Sequence, residues 1–286
     1  MRQSGRGSPR PDWHGRGRKL TLKLVQKPRP AQSGYGTRGP WRNKPGQDLL
    51  AQSMSGLPWL NGNADQPPLP FALSVADMYA GVHLVQGILA CLLRRSIAKK
   101  GGLVEVSLME SILDMQFEAL TVYLNDNGKL PQRSALSSAH PYVAAPYGIS
   151  ATADGYLALA MGSVPRLGEL LGCPELGRFT DPQSWFAKRD EIKTILAGRL
   201  QSRPTADWLG ILEPAGVWCA DVFTWQDLMK QEGFKALDMI QEVEGNGVRF
   251  RTTRCPIRID GEILKDTAGA PGIGENTPNL CREFKP

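Results

Sequence analysis

Between Ser74 and Leu124 the spacing of apolar residues changes twice. Met78, Val82, Val85, Leu89 and Leu92 recur every three or four residues, which predicts a helix that starts on a Ser74/Asp77 capping box and stops at Lys99-Lys100 before Gly101-Gly102. Ala80, Gly81, Gly87, Ala90 and Cys91 on the same segment permit close backbone approach, so the helix is expected to be deeply packed. Val104, Val106 and Leu108 then alternate with Glu105 and Ser107, the period of a half-buried strand. Ile112, Leu113, Phe117 and Leu120 restore helical spacing over Met109 to Leu124. Glu110 therefore stands where a strand ends and a helix begins, the usual location of ligand chemistry in α/β folds. Ser107-Leu108-Met109-Glu110 is also a capping box, whose glutamate needs only the amides of its own helix. The pattern leaves both readings open.

Elsewhere the punctuation is equally local. Gly34-x-Gly36-x-x-Gly39 satisfies the dinucleotide-binding expression, but Pro40 follows it and no helix opens there, so it reads as a tight turn. Asn125 to Ala139 is polar and turn-rich and leads into a second region. There, Thr152-Ala153-Asp154-Gly155 marks a hairpin between apolar strands over Ile149 to Met161. Helices are predicted over Val164–Leu171, Ser184–Leu200 and Thr205–Glu213, with Lys188 to Glu191 as a solvated face. Trp185, Trp208, Trp218 and Trp225 fall at helix starts and strand edges, where core packing is expected. Ala215 to Val222 is expected to return the chain to the first region, followed by a helix over Phe234–Ile240 and strands over Val248–Thr253 and Ile257–Ile259.

Composition narrows the function classes. Of the 286 residues 41% are hydrophobic, enough for a sizeable core, and no apolar run looks long enough to span a membrane. Cys91, Cys173, Cys219, Cys255 and Cys281 are odd in number and scattered, which predicts free thiols and no structural metal. The net charge of +6 is misleading as a sign of a nucleic-acid partner, because residues 1–33 hold nine Lys and Arg against Asp12 alone. That local excess is larger than the total, so the remainder is slightly acidic. The basic surface lies on a Gly/Pro-rich tail, expected to be disordered, which makes nucleic acid an unlikely partner.

Several short words occur in a telling order: Ser33-Gly34-Tyr35-Gly36 with Gly39-Pro40, Pro45-Gly46-Gln47-Asp48 with Gln52 and Ser55-Gly56, and the Asp77 to Arg94 helix. Val104 to Glu110, Ala145-Pro146-Tyr147-Gly148 with Asp154-Gly155, Ala215-Gly216-Val217, and Ala270-Pro271 with Gly274-Glu275 follow. From Ser33 almost to the C-terminus the chain resembles the class III CoA-transferases, the family of formyl-CoA and acetyl-CoA:oxalate transferases, carnitine CoA-transferase and 2-methylacyl-CoA racemases. The resemblance implies a two-lobed α/β fold with an incomplete Rossmann-like large domain over 34–135 and 216–286, a smaller α/β domain over 136–215, and the basic tail over 1–33. Members of the family ordinarily carry an upstream segment with the first Rossmann-type unit. Residues 1–33 do not match it, although Leu20 to Val25 resembles a replacement for its last strand, so a truncated or misread N-terminus is expected.

The resemblance also implies a site. It places Tyr35 and Gly36 beside the CoA pantetheine, the Lys44 to Asp48 loop beside the phosphates or thioester, and the Tyr147-Gly148 loop over the active site. Gln47 stands where the racemase branch has a proton-transferring histidine, and an amide cannot fill that role. Asp48 is expected to be a structural turn residue, and His140, beside a proline in a loop, an incidental histidine. Glu110 falls at the position taken as the nucleophile's, one methylene longer than the family's aspartate, with Asp114 as rival carboxylate or surface salt-bridge partner. The implied substrates are a CoA thioester and a small carboxylic acid, with no resident cofactor, no metal and no membrane, in a cytoplasmic, interlocked homodimer. Two other readings stand beside this one: a non-catalytic remnant of the family, and an anion- or nucleic-acid-binding protein that uses the basic arm.

Overall fold

A computed structural model describes residues 32–283 of the chain. Apart from its last two residues, the expected basic tail lies outside them, as does the Leu20–Val25 strand. The described residues form two compact units, 32–90 with 104–237, and 91–103 with 238–283.

The larger unit opens with β1 (Gln32–Ser33) and α1 (Asp48–Ser55), followed by α2 (Val75–Ala98, of which residues 75–90 belong to this unit), β2 (Val106–Ser107), α3 (Leu108–Met115) and α4 (Phe117–Asn125). β1 and β2 pair in parallel, Gln32 with Val106 and Ser33 with Ser107. A small core joins them, built from Ala51 of α1, Val75, Ala76 and Ala80 of α2, and Leu108, Met109 and Ile112 of α3. The single helix expected over Met109–Leu124 is two, because Gln116 turns out of helical geometry and its side-chain amide caps the Ile112 carbonyl at 2.9 Å.

α2 corrects two expectations. Only Val75, Ala76 and Ala80 of its 24 residues are buried, so it is not deeply packed. Its small residues do not all mark close contacts: a Cβ on Gly81 meets nothing, whereas one on Gly87 falls 2.5 Å from Val104. By length and composition α2 is also apolar enough to cross a membrane, although its interspersed His83 and Gln86 hide that run in the sequence.

The rest of this unit comprises β3 (Gly148–Ala151), β4 (Tyr156–Leu159), α5 (Val164–Leu171), α6 (Ser184–Ala187), α7 (Arg189–Leu200), α8 (Thr205–Leu212), β5 (Cys219–Asp221), α9 (Trp225–Leu228) and α10 (Glu232–Leu237). The hairpin forms as its turn residues predict, with Ala151 opposite Tyr156, and β5 adds antiparallel to β4, beyond the expected boundary at 215. Leu157, Leu167, Ile192, Leu196 and Trp208 make the centre of its core. Trp218 and Trp225, at 63% and 79% exposure, do not pack as expected, since β5 is a sheet edge and α9 a single turn.

Of the expected solvated face, Lys188, Asp190 and Glu191 are exposed and Arg189 is not. Arg189 is buried and donates to the carbonyls of Pro141 and Gln132, and Asp190 accepts from the Ala135 amide. Lys193, 2% exposed, donates to Ser134 Oγ and the Ser137 carbonyl, both at 3.0 Å. Local periodicity does not reach these partners, a loop hydroxyl and a loop carbonyl more than fifty positions away in sequence. Burial, then the neighbouring Arg189 charge, lowers the Lys193 pKa to about 8. The unfolded chain therefore holds this proton up to about pH 10.4, where the folded chain has released it. Stability should thus rise between these values by on the order of 3 kcal/mol at most. Denaturant melts of wild type and Lys193→Met across that range check it: the rise should be absent from the variant.

The smaller unit contains β6 (Ile240–Gly245) and β7 (Val248–Thr253), paired antiparallel, then β8 (Arg258–Ile259), β9 (Glu262–Ile263) and α11 (Thr277–Glu283). All five cysteines are free thiols, as their scatter predicts.

Candidate active site

Because β1 and β2 are parallel, they deliver their following segments to the same end of the sheet, the location at which α/β folds place ligand chemistry. β1 runs into the Gly34–Gly39 loop and β2 into α3, and the Gly34 carbonyl accepts from the Met109 amide at 2.9 Å. Gly36 and Gly39 have φ of 84° and 79°, and Lys44 N donates to Trp41 O, so a turn follows and no helix opens. The tight-turn reading holds.

The next loop is locked on the first. A Cβ on Gly34 would lie 2.4 Å from the Gly46 Cα, and one on Gly46 would lie 2.5 Å from the Gly34 Cα. Backbone meets backbone here, so neither side chain can swing away. Gly34→Ala should therefore force the loops apart and destabilise the chain by about 2 kcal/mol or more, which a denaturant titration measures. Gly36→Ala meets no neighbour but is strained at its positive φ, and should cost only about 1 kcal/mol.

The expected site residues on these loops do different things. Tyr35 is half-buried, edge-on to Trp41 with ring centroids 6.1 Å apart. Lys44 is exposed and, among the described residues, pairs with no carboxylate. Gln47 is the N-cap of α1, its Oε1 accepting from Leu49 N at 3.1 Å. Asp48 is structural, but at long range. Its buried carboxylate accepts from the amides of Ala76 at 2.8 Å and Asp77 at 3.4 Å, and from Gln52 Nε2 at 2.6 Å. Gln52 also ties down the segment before α2, through Phe71 and Leu73. The amides at the start of α2 are thus held by Asp48 and not by the predicted Ser74/Asp77 box, a correction local pattern could not supply.

Around the small core stand three exposed carboxylates. Glu110 is engaged in its cap: Ser107 Oγ donates to Glu110 Oε2 at 2.5 Å and accepts from Glu110 N at 3.1 Å. Asp114 accepts from His83 Nε2 at 3.1 Å, while His83 Nδ1 lies 3.0 Å from Ser111 Oγ. This resembles a Ser-His-Asp relay, but Ser111 is 1% exposed and out of a substrate's reach, so the trio reads as a tether between α2 and α3. Asp77 is different. Its carboxylate has no hydrogen bond or ion pair among the described residues, on the first turn of α2 beside the Gln47-Asp48 loop. Sequence reading passed over it because its frame mimics a cap.

Tyr147 and Gly148 stand apart from this group. They line a cavity of about 770 Å³ with Ile149, Val217, Trp218 and Cys219, to which Glu110 and residues 34–48 contribute nothing. Gly148 is packed against the Ser137 carbonyl, which a Cβ would approach to 2.4 Å. His140 Nδ1 accepts from Tyr142 N at 3.2 Å, a local turn contact.

Comparison with known proteins now adds to this geometry. Residues 30–277 match the family model described as CoA-transferase family III. The chain is 28% identical over 262 residues to acetyl-CoA:oxalate CoA-transferase of Acetobacter aceti, covering 89% of this chain and 65% of that protein. It is 25% identical to succinate–glutarate CoA-transferase of Agrobacterium fabrum, covering 88% and 64%. It thus spans less than two thirds of the length of either relative. The crystal structure of a CAIB/BAIF family protein from Brucella suis superposes with a TM-score of 0.71 at 28% identity, covering 88% of this chain and 66% of that one. The α/β architecture expected from the resemblance is therefore the one present. Matched by the family model over most of its length, this chain belongs to CoA-transferase family III.

Proposed function

We propose that this protein transfers CoA from an acyl-CoA donor to a carboxylic acid through a covalent intermediate on one of its own carboxylates. The observation that carries the proposal is an exposed carboxylate, Asp77, without a partner among the described residues, on the turn of α2 whose amides are held by Asp48, itself two residues after the Gly46 that interlocks with Gly34. The carboxylate attacks the thioester carbonyl, giving a mixed anhydride and CoA thiolate. The thiolate attacks the enzyme's carbonyl, forming an enzyme-CoA thioester and releasing the donor's acid. The acceptor carboxylate attacks that thioester, and the thiolate released then takes the acceptor's acyl group from the new anhydride and frees the enzyme carboxylate. Each tetrahedral state needs an oxyanion donor. The Gly36 amide is available, since it donates to no acceptor among the described residues, whereas the Tyr147 amide already donates to Ala144 O at 3.3 Å.

Which carboxylate reacts has two readings. Glu110 has the strand-to-helix placement that singles it out in the sequence, and its serine partner covers one of its two oxygens. Asp77 is favoured by a specific observation, that its carboxylate engages no donor among the described residues, so no contact within them need be broken before it attacks. Trapping with hydroxylamine or borohydride during incubation with acyl-CoA decides the question, because trypsin cleavage at Arg94, Arg95, Lys99 and Lys100 separates the two peptides. Label on Asp77 supports the second reading and label on Glu110 the first. Absence of label on both, with CoA transfer intact, overturns the covalent mechanism.

Gln47 makes a further expectation concrete. Its amide caps α1 and holds no transferable proton pair, so the protein should not wash deuterium into the α-carbon of a 2-methylacyl-CoA at a rate above background. Mass spectrometry of recovered thioester checks this.

A further inference from the structure

A second cavity, of about 690 Å³, opens on the larger unit between the turn after α1 and the face of α4. Trp59, Leu60, Leu120, Tyr123, Leu130 and Pro131 give it apolar walls, and the volume lies in the range of small-molecule sites. α4 buries none of its own residues, and Leu130 and Trp59 are 73% and 60% exposed, so these walls are not spent on the core.

Among the residues that line this cavity, one carries a cationic side chain. Arg133 lines the cavity, and its guanidinium is held by three backbone carbonyls: Nη1 donates to Asn61 O at 2.6 Å and Pro67 O at 3.4 Å, and Nη2 to Gln66 O at 2.6 Å. Carbonyls fix the group without neutralising it, and among the described residues Arg133 pairs with no carboxylate. A guanidinium has five N–H donors, so three bonds leave two, the number that a carboxylate takes side-on.

We propose that this cavity binds a carboxylic acid with an apolar body, its carboxylate on Arg133 and its body against Trp59 and Leu120. The pinned cation supplies the charge complementarity, and the apolar walls exclude a small, fully polar acid as the preferred occupant. Gln116, at the end of α3, forms part of the wall, six residues from Glu110 and so about 9 Å along the helix axis. That such an acid is also the CoA acceptor rests on the transfer reading. The existence of the site does not, and its test contains no CoA.

Isothermal titration of the full chain with phenylbutyrate and with the uncharged phenylbutanol tests the proposal. The acid should bind about tenfold tighter or more, the difference a charge-assisted pair makes. Arg133→Gln should bring the two ligands within about twofold of each other. Because that change also frees three carbonyls, Ala119→Trp provides an independent arm: it fills the cavity without touching Arg133, and should weaken both ligands by about tenfold or more while the thermal melt stays cooperative. Equal affinity of wild type for acid and alcohol, no binding of the acid, or acid binding unaffected by Ala119→Trp would each overturn it. Loss of CoA transfer with the binding pattern intact would sink the transfer reading alone.

Discussion

Asp77→Asn is expected to lower the turnover of CoA transfer by about 10³-fold or more, with little change in stability. An amide of the same size is not a nucleophile toward a thioester, and the side chain replaced has no partner to lose among the described residues. Glu110→Gln should behave in the opposite way. Gln keeps an acceptor for Ser107 Oγ, so the helix start weakens by about 1 kcal/mol or less while turnover stays within a few-fold. The pair of variants separates the two readings in one assay of kcat with a denaturant titration on each protein. Glu110→Gln losing activity while Asp77→Asn keeps it would return the nucleophile to Glu110.

The second large effect falls on stability. Asp48→Ala removes one buried carboxylate and strands three donors: the amides of Ala76 and Asp77, and Gln52 Nε2. Gln52 still reaches the carbonyls of Phe71 and Leu73, so the uncompensated part is the pair of amides at the start of α2 together with the lost charge. A loss of about 3 kcal/mol is expected, read as a lower denaturation midpoint at unchanged slope. Asp48→Asn should lie between, because its carbonyl can still accept from Ala76 while its amide group faces the Gln52 amide, donor against donor. Gln52 has no easy way to flip, since its Oε1 accepts from Phe71 N at 2.8 Å. If Asp48→Ala were as stable as wild type, α2 would be capped by something other than this carboxylate. Activity should fall with it, because Asp77 is on the turn that Asp48 fixes.

What local chemistry dictates was legible from the sequence. The hairpin at Thr152 to Gly155, the helix over Val164–Leu171, the strand over Val248–Thr253 and the turn at Gly34 to Gly39 all form where periodicity and turn residues place them, since each depends on neighbours a few positions away. Order along the chain was enough for the family as well. The misreadings share one cause, a partner remote in sequence. Arg189 looks solvated until the carbonyls of Pro141 and Gln132, more than forty positions away, hold it. Tyr147 and Gly148, expected in a loop over the active site, line a cavity to which Glu110 does not contribute. Ser74 and Asp77 match a cap, yet Asp48 holds the Ala76 amide across 28 positions, and the Asp77 carboxylate engages no donor among the described residues. A capping box in sequence specifies only that a serine and an acid are suitably spaced. Whether the acid is occupied by its own helix or left for chemistry depends on which donors and acceptors the fold brings within 3 Å, and only the tertiary structure decided that.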